Sequence, residues 1–323
     1  MSKPIVVISR SWPKQVEEKM QALFDVKLNE NDVPMTAGDM QDALKSADAF
    51  CPTVSDQVDA EVLSVDTRRS GIIASYGVGF NHIDLDAARK AGLTVTNTPE
   101  VLTDCTADLA MALMLTPARR VGEGERHLRN GEWTGWRPTH MMGTSVTGKT
   151  LGLIGMGRIA QAVAKRAANG FNMKIIFHDP FLPEDAALDG IQATRCDSPE
   201  QVFSQADFVS LHCPGGKDTY HLISDQAFDA MQSHAIVINT ARGDVIDEAA
   251  LVRALHSGKI AGAGLDVFEH EPTVSPELLA MENVVLLPHL GSASIETRVA
   301  MGMRVVDNLT AFFNGETPRD KLV

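Results

Sequence analysis

Residues 151–160 read Leu151-Gly152-Leu153-Ile154-Gly155-Met156-Gly157-Arg158-Ile159-Ala160. A short apolar run ends in the pattern G-x-G-x-x-A, and apolar residues at helical spacing follow it. Gly155 suits a tight turn, Gly157 lets a pyrophosphate approach the backbone, and Ala160 permits close packing of a helix on a strand. The first amides of the helix, which begins at Arg158, would face the phosphates. The stretch therefore predicts a strand, a turn and a helix that bind a dinucleotide.

An acidic residue supports this interpretation and bears on the choice of cofactor. Asp179 ends the next predicted strand, 19 residues after Ala160. A carboxylate at that place accepts hydrogen bonds from the ribose hydroxyls of NAD and repels the 2′-phosphate of NADP. The alternative is an aspartate that only begins an Asp179-Pro180 turn. The position in the fingerprint favours NAD as the cofactor.

Outward from this stretch, short apolar runs alternate with helical patterns along almost the whole chain. One group of predicted strands covers 5–9, 26–29, 49–53, 71–76 and 93–96, and a second covers 151–155, 174–179, 208–213, 235–240, 261–268 and 284–288. A single long helix, kinked at Pro117, is predicted over 103–130. The pattern predicts an α/β fold with two doubly wound, Rossmann-like or flavodoxin-like parallel-sheet domains and a cleft between them. The helix predicted over 294–313 is expected to return to the first domain, which would make that domain discontinuous.

Composition limits the classes of partner. The chain has 323 residues and a formal net charge of −13, which disfavours nucleic acid but not a small anion bound by a few local cations. The apolar run 5–8 is too short for a signal sequence or a membrane span. The four cysteines form no C-x-x-C pair, so no metal site is expected. Reduced thiols in a soluble cytoplasmic protein are expected instead.

Three polar residues follow predicted strands of the second group. Arg242 comes after strand 235–240, Glu271 after strand 261–268 and His289 after strand 284–288. Ligands of open α/β sheets bind outside the carboxyl ends of the strands, so these residues are candidates for the reduction of a carbonyl. Taken singly, Arg242 could form a surface ion pair, Glu271 could be a turn residue, and His289 could be a cap or a core residue.

At this point the whole chain resembles the D-isomer-specific 2-hydroxyacid dehydrogenases. The motifs that carry the resemblance are the fingerprint with Asp179, Asn239-Thr240-Ala241-Arg242-Gly243, Gly264-Leu265-Asp266-Val267-Phe268-Glu269-His270-Glu271-Pro272 and Pro288-His289-Leu290-Gly291.

The resemblance implies a role for each matching residue. Arg242 would bind the substrate carboxylate and carbonyl, His289 would act as acid and base, and Glu271 would orient His289. Asp266 would lie near the nicotinamide, and backbone amides of Arg158 and Ile159 would face the pyrophosphate. The remaining positions that usually line the cofactor are Thr106, Cys213, Pro214 and Thr240. Residues 1–100 with 292–323 would form the substrate-binding domain, and residues 101–291 the NAD-binding domain.

Two further segments are assigned by the same resemblance. The loop 76–81 would bind the substrate carboxylate through the amides of Val78 and Gly79, although a plain tight turn is the alternative. Trp136 would reach the pocket of a neighbouring subunit in a homodimer, as in the glyoxylate/hydroxypyruvate reductase branch. Ordinary packing in the dimer interface is the alternative for this tryptophan.

The expected activity is NADH-dependent reduction of a small 2-oxo acid, with glyoxylate or hydroxypyruvate as the first candidates. A phosphoglycerate dehydrogenase-like enzyme and an NAD-sensing, corepressor-like scaffold remain as alternatives. Formate dehydrogenases match less well, because that branch has glutamine at the position of Glu271.

Overall fold

The computed structural model describes residues 2–183, 185–186, 188 and 190–323. The chain divides into two units, Met1–Leu102 with Ala293–Val323 and Thr103–Ser292. Each unit is built on its own sheet, of five and seven strands, and the α/β class predicted from the sequence is confirmed. Within the described residues, no helix combines the length and the hydrophobicity needed to cross a bilayer.

All five strands of the first sheet are parallel: β1 (Ile5–Ile8), β2 (Asp25–Lys27), β3 (Ala49–Cys51), β4 (Ile72–Ala74) and β5 (Thr94–Thr96). Their order is β2-β1-β3-β4-β5, which reverses direction between β1 and β3 as in flavodoxin-like sheets. The helices between them are α1 (Lys14–Leu23), α2 (Ala37–Ser46), α3 (Ala60–Leu63) and α4 (Leu85–Lys90). The central strands are almost wholly buried, as expected when helices cover both faces of a parallel sheet.

The C-terminal helix α12 (Ile295–Phe313) belongs to this first unit, where it packs on α1 and β4. Ser294 caps its first turn by accepting a hydrogen bond from the amide of Thr297 at 3.2 Å. Its apolar face buries residues at helical spacing, among them Met301, Val305 and Leu309. The tail of the chain therefore completes the core of the unit that the first hundred residues begin.

The second sheet has seven parallel strands in the order β12-β11-β10-β9-β6-β7-β8. In chain order they are β6 (Thr150–Ile154), β7 (Lys174–His178), β8 (Ala193–Arg195), β9 (Phe208–Leu211), β10 (Ile236–Asn239), β11 (Gly262–Leu265) and β12 (Val284–Leu286). The helices are α5 (Thr103–Ala118), α6 (Val121–Arg129), α7 (Arg158–Phe171), α8 (Pro199–Gln205), α9 (Asp225–Ala230), α10 (Glu248–His256) and α11 (Pro276–Leu279). The reversal of strand order beside β6 places the Gly155 turn at the switch point of a Rossmann-like sheet.

The helix predicted over 103–130 is two helices, α5 and α6. Pro117 lies in the last turn of α5, and Arg120 adopts a left-handed backbone with φ of 52°. The carbonyl of Ala118 accepts a hydrogen bond from the amide of Thr144 at 2.7 Å, so a neighbouring loop replaces the next helical turn. The helix therefore ends just after Pro117, before the left-handed Arg120, where a kink within one continuous helix was expected.

Candidate active site

The Gly155 turn connects β6 to α7 and has the geometry that a dinucleotide site needs. Gly155 has a φ of +86°, and a Cβ there would lie 2.9 Å from backbone atoms of His212 and Cys213. Gly157 caps α7, and a Cβ on it would meet no described atom within 4 Å. Ala160 is fully buried where the helix packs on the sheet. The first amides of a fourteen-residue helix, which include those of Arg158 and Ile159, thus begin at a turn whose geometry suits a pyrophosphate.

Asp179 follows β7 and lies beside this turn. Its Oδ2 accepts a hydrogen bond from the amide of Met156 at 2.8 Å. Its Oδ1 accepts from the amides of Phe181 at 2.9 Å and Leu182 at 3.1 Å. A carboxylate has about four acceptor positions, so three amides leave room for a ribose hydroxyl. The turn-forming role and the ribose-binding role proposed from the sequence are therefore compatible.

The four other positions that were predicted to line the cofactor differ in burial and in their contacts. Thr106 and Cys213 are buried, and Thr106 donates its hydroxyl to the carbonyl of Gly291 at 2.9 Å. Burial raises the pKa of the Cys213 thiol to about 11, so this side chain is uncharged at neutral pH. Pro214 is exposed. Thr240 is only 8% exposed, and its hydroxyl has no hydrogen-bond partner among the described residues, which suits a polar ligand.

Glu271 and His289 meet at the carboxyl edge of the second sheet. The Oε2 atom of Glu271 lies 2.9 Å from Nδ1 of His289, and its Oε1 accepts from the amide of Phe268 at 3.0 Å. Burial opposes ionisation of Glu271, but the hydrogen bond and charge of His289 outweigh it and lower the pKa of this carboxyl. An ionised Glu271 can only accept, so Nδ1 carries a proton and Nε2 is left to exchange one.

Arg242 follows β10, the strand next to β11 in the same sheet. Its backbone carbonyl accepts from Nδ2 of Asn239 at 2.8 Å, and its Nη1 donates to the carbonyl of Ala241 at 2.6 Å. Burial lowers the pKa of Arg242, against the opposing charges of Glu271 and Asp244, but a guanidinium keeps its proton in this range. None of the described carboxylates forms an ion pair with it, so its fork can bind an anionic ligand.

Asp266 has a bracing role that the sequence motif does not reveal. It is 1% exposed, and its two oxygens accept from the amides of Leu290 at 2.6 Å and Gly291 at 2.7 Å. Its own carbonyl accepts from the amide of His289 at 2.9 Å, and His289 has a left-handed backbone with φ of +55°. Asp266 therefore fixes the loop that presents His289, and burial raises the pKa of its carboxyl.

Sequence reasoning also missed Gly243. A Cβ at Gly243 would lie 1.9 Å from the carbonyl carbon and oxygen of Phe268. The loop that carries Arg242 and the loop that carries Glu271 are thus in backbone contact. In the sequence, this contact is signalled only by the presence of a glycine directly after Arg242. That glycine does not indicate that Phe268 is the residue it contacts.

In the first unit, two carbonyls of the loop 76–81 are hydrogen-bonded, whereas two of its amides find no acceptor among the described residues. Nδ2 of Asn97 donates to the carbonyl of Val78 at 2.8 Å, and the amide of Thr98 donates to the carbonyl of Gly77 at 2.9 Å. The amides of Val78 and Gly79 have no acceptor among the described residues. Because these carbonyls are already hydrogen-bonded, the amides remain as donors. Such a loop suits the binding of a carboxylate.

Trp136 lies in the second unit in the segment after α6 and is 83% exposed. Several other large apolar side chains of α6 and the following segment are also exposed: Val121, Leu128, Trp133 and Met142. So many exposed apolar groups in one stretch are typical of a surface that another chain covers.

Comparison with known proteins agrees with this geometry. Residues 111–291 match the family model for the NAD binding domain of D-isomer specific 2-hydroxyacid dehydrogenases. A glyoxylate reductase from Thermococcus litoralis is 44% identical over 320 residues, which cover 98% of this chain and 96% of the relative. One from Korarchaeum cryptofilum is also 44% identical over 320 residues, covering 98% and 95%.

Among solved structures, the NADPH-dependent glyoxylate/hydroxypyruvate reductase of Sinorhizobium meliloti, in complex with NADP and malonate, superposes with a TM-score of 0.88. It is 33% identical, and the match covers 100% of this chain and 97% of that one. The matches cover nearly the whole chain, and they agree with the fold and with the arginine, glutamate and histidine at the edge of the second sheet. The chain therefore belongs to the D-isomer specific 2-hydroxyacid dehydrogenase family and is a nicotinamide-dependent oxidoreductase.

Proposed function

We propose that this enzyme reduces glyoxylate or hydroxypyruvate with NADH. The observation that carries the proposal is the Glu271–His289 pair, which leaves Nε2 of an oriented imidazole free for proton transfer, at the same edge of the sheet as a half-buried cation, Arg242. The names of the relatives, which are glyoxylate reductases, support the same substrate class. C2 carries a hydrogen in glyoxylate and a hydroxymethyl group in hydroxypyruvate, so the pocket around that substituent contributes to the relative rates of the two acids.

Each residue has a distinct task in this proposal. NADH, when bound, supplies the hydride that C2 of the 2-oxo acid accepts. His289 gives the proton at Nε2 to the oxygen that becomes the hydroxyl, and Glu271 stabilises the imidazolium before the transfer. Arg242 binds the carboxylate and polarises the carbonyl, which lowers the energy of the developing alkoxide.

We assign substrate binding to the first unit and nucleotide binding to the second. The free amides of Val78 and Gly79 support a role in holding the substrate carboxylate. The glycine turn 155–157, with the unpaired hydroxyl of Thr240, supports the nucleotide assignment. The approach of Asp266 to the nicotinamide is part of the same proposal, in addition to its bracing of the His289 loop.

NADH is the proposed cofactor, although the S. meliloti relative is named as NADPH-dependent. Asp179 supports this choice, because an ionised carboxylate at the ribose position repels a 2′-phosphate. Its three amide contacts also fix it beside the Gly155 turn, where it cannot rotate away without losing hydrogen bonds.

A panel of substrates tests the function. We expect kcat/KM with NADH to be highest for glyoxylate and hydroxypyruvate, and lower for pyruvate and for 3-phosphohydroxypyruvate. A preference for the phosphorylated acid would identify a phosphoglycerate dehydrogenase-like enzyme instead. NADH binding without turnover of any of these acids would favour the scaffold and refute the proposed activity.

We also propose a cytoplasmic homodimer in which Trp136 acts at the partner's pocket. The exposed apolar side chains of α6 and the following segment support an interface there, and the four free thiols support a reducing compartment. Light scattering at the assay concentration should give twice the mass of one chain. A monomer mass with full activity would refute both the dimer and the role of Trp136.

A further inference from the structure

A half-buried aspartate that no catalytic role uses lies two residues after Arg242. The short 3₁₀ turn Gly243–Val245 directly follows Arg242 and carries this residue, Asp244. The amide of His221 donates to the carbonyl of Asp244 at 2.9 Å, which fixes the turn against a neighbouring loop. Because only two peptide units separate them, the Cα atoms of Arg242 and Asp244 are at most about 7 Å apart.

The two carboxylate oxygens of Asp244 have different surroundings. Oδ2 accepts a hydrogen bond from the amide of Gly216 at 3.2 Å. Oδ1 is buried and has no hydrogen-bond partner among the described residues. A buried carboxylate oxygen without a donor costs folding free energy, because water would solvate it in the unfolded chain. The hydrogen bond to Gly216 needs only one acceptor, which an uncharged asparagine would also supply. The charge of Asp244 therefore needs a separate explanation.

The negative charge of Asp244 acts on Arg242. Burial lowers the pKa of the Arg242 guanidinium, and the charges of Glu271 and Asp244 act in the opposite direction. Each of these two carboxylates thus offsets part of the positive field that Arg242 presents to an anionic ligand. The electrostatic energy of a ligand in this field is proportional to its charge. The compensation by Asp244 therefore disfavours a dianion more than a monoanion.

We propose that Asp244 is a selectivity residue, which restricts the site to 2-oxo acids with one negative charge and disfavours those with a second acidic group. The inference rests on the proposed reduction of glyoxylate or hydroxypyruvate and narrows its substrate class. Both of those acids carry one carboxylate, whereas a second carboxylate or a phosphate would bring more negative charge close to Asp244. The competing role for Asp244 is purely structural, as the residue that holds the loop of Gly216.

Two isosteric anions separate these roles without any turnover. Oxamate and oxalate both resemble glyoxylate, and they differ by an amide in place of one carboxylate, and so by one negative charge. Their dissociation constants from the enzyme–NADH complex are measured at neutral pH by titration of NADH fluorescence. Asp244→Asn removes the charge and keeps an acceptor for the amide of Gly216. We expect it to tighten oxamate about threefold and oxalate about tenfold, since a second charge doubles the gain in free energy and squares the factor.

Three further variants complete the experiment. Asp244→Glu keeps the charge, so it should preserve the ratio of the two dissociation constants within about twofold. Asp218→Asn makes the same change at an exposed residue of the Gly216 loop, where water screens the charge, and it should leave both constants unaffected. Asp244→Ser is a second variant without the charge and should reproduce the shift in the ratio. Thermal unfolding of each variant shows whether the fold is preserved.

The outcomes distinguish this inference from the proposed function. An unchanged ratio of oxalate to oxamate affinity in Asp244→Asn would mean that Asp244 only holds the loop, and would overturn the selectivity role. A ratio that shifts only because oxamate binds more weakly would also overturn it, since Asp244 would then act as a hydrogen-bond acceptor for the amide. Failure of the wild-type enzyme–NADH complex to bind either anion would refute the proposed function itself.

Discussion

Nδ1 of His289 lies 2.9 Å from Oε2 of Glu271, although 18 residues separate them in the chain. The two side chains follow neighbouring parallel strands, β12 and β11, and the sheet brings the strand ends together. The second oxygen of Glu271 is held by the amide of Phe268, so the carboxylate cannot turn away from the imidazole. The pair thus fixes both the tautomer and the orientation of His289 before any substrate binds.

Replacing Glu271 by glutamine tests the electrostatic part of this relationship. Reduction needs protonated His289, so activity must fall as the pH rises. Glu271→Gln keeps the size and one acceptor but removes the negative charge that stabilises imidazolium. We therefore expect the alkaline limb of kcat/KM for glyoxylate to move to lower pH, with little change in NADH affinity.

One outcome of the Glu271→Gln substitution would contradict the electrostatic role of Glu271. Burial opposes ionisation of Glu271, but the hydrogen bond and charge of His289 lower the pKa of this carboxyl, and the substitution removes that interaction. An alkaline limb that stays in place in Glu271→Gln would show that Glu271 is only a turn residue. Glu269→Gln, which removes the carboxylate that pairs with His221, is the matched control and should leave the limb unmoved.

Removal of the acid itself should affect catalysis and not cofactor binding. In His289→Ala, we expect kcat to fall by about 10²–10⁴-fold, the usual contribution of a positioned general acid. The dissociation constant of NADH, measured by fluorescence titration, should stay within about threefold. A loss of NADH binding equal to the loss of rate would mean that His289 organises the nucleotide site and does not donate the proton.

The fold class could be predicted because buried strands of a parallel sheet are continuous apolar runs. The run 261–268 illustrates the limit of that signal, since the structure ends the strand β11 at Leu265. Asp266 then directs its carboxylate to the amides of Leu290 and Gly291, a contact that no local pattern encodes. Strand β8 was missed altogether, because an edge strand ending in exposed Thr194 and Arg195 lacks a buried apolar pattern.

The residue types of the candidate site could be predicted from the sequence, but the contacts that hold these residues in place could not. Arg242, Glu271 and His289 stand at strand ends, and the rule for open α/β sheets places such residues together. The contacts that hold them come from backbone atoms distant in sequence, as between Gly243 and Phe268, and these depend on tertiary packing. The catalytic roles of the three residues remain predictions, for which the geometry gives the tests.

The fork of Arg242 should matter more than its charge. Arg242→Lys keeps a cation but loses the planar pair of donors that can bind a carboxylate and polarise a carbonyl together. We expect kcat/KM for glyoxylate to fall by about 10²–10³-fold, the range found when a group that stabilises an oxyanion is removed. Arg298→Lys, in the other unit, is the control and should retain most of the activity. Near-normal kcat/KM in Arg242→Lys would show that a point charge is enough and that no bidentate contact forms.

Gly243 should be needed for the fold of the site, because it lies where the two catalytic loops meet. A Cβ at this position would be 1.9 Å from backbone atoms of Phe268, and backbone cannot move aside as a flexible side chain can. Gly243→Ala should therefore cost about 1–3 kcal/mol of folding stability or more, which is a decrease in Tm of roughly 2–4 °C per kcal/mol for a unit of this size. Gly170→Ala is the matched control: a Cβ there meets no atom of the described residues within 4 Å, and alanine in helix α7 should raise Tm slightly. Activity should fall in Gly243→Ala even well below its Tm, since separating the loops moves Arg242 relative to Glu271. Unchanged Tm and kcat/KM in Gly243→Ala would mean that the loops can part at no cost and that their contact does not position the catalytic residues.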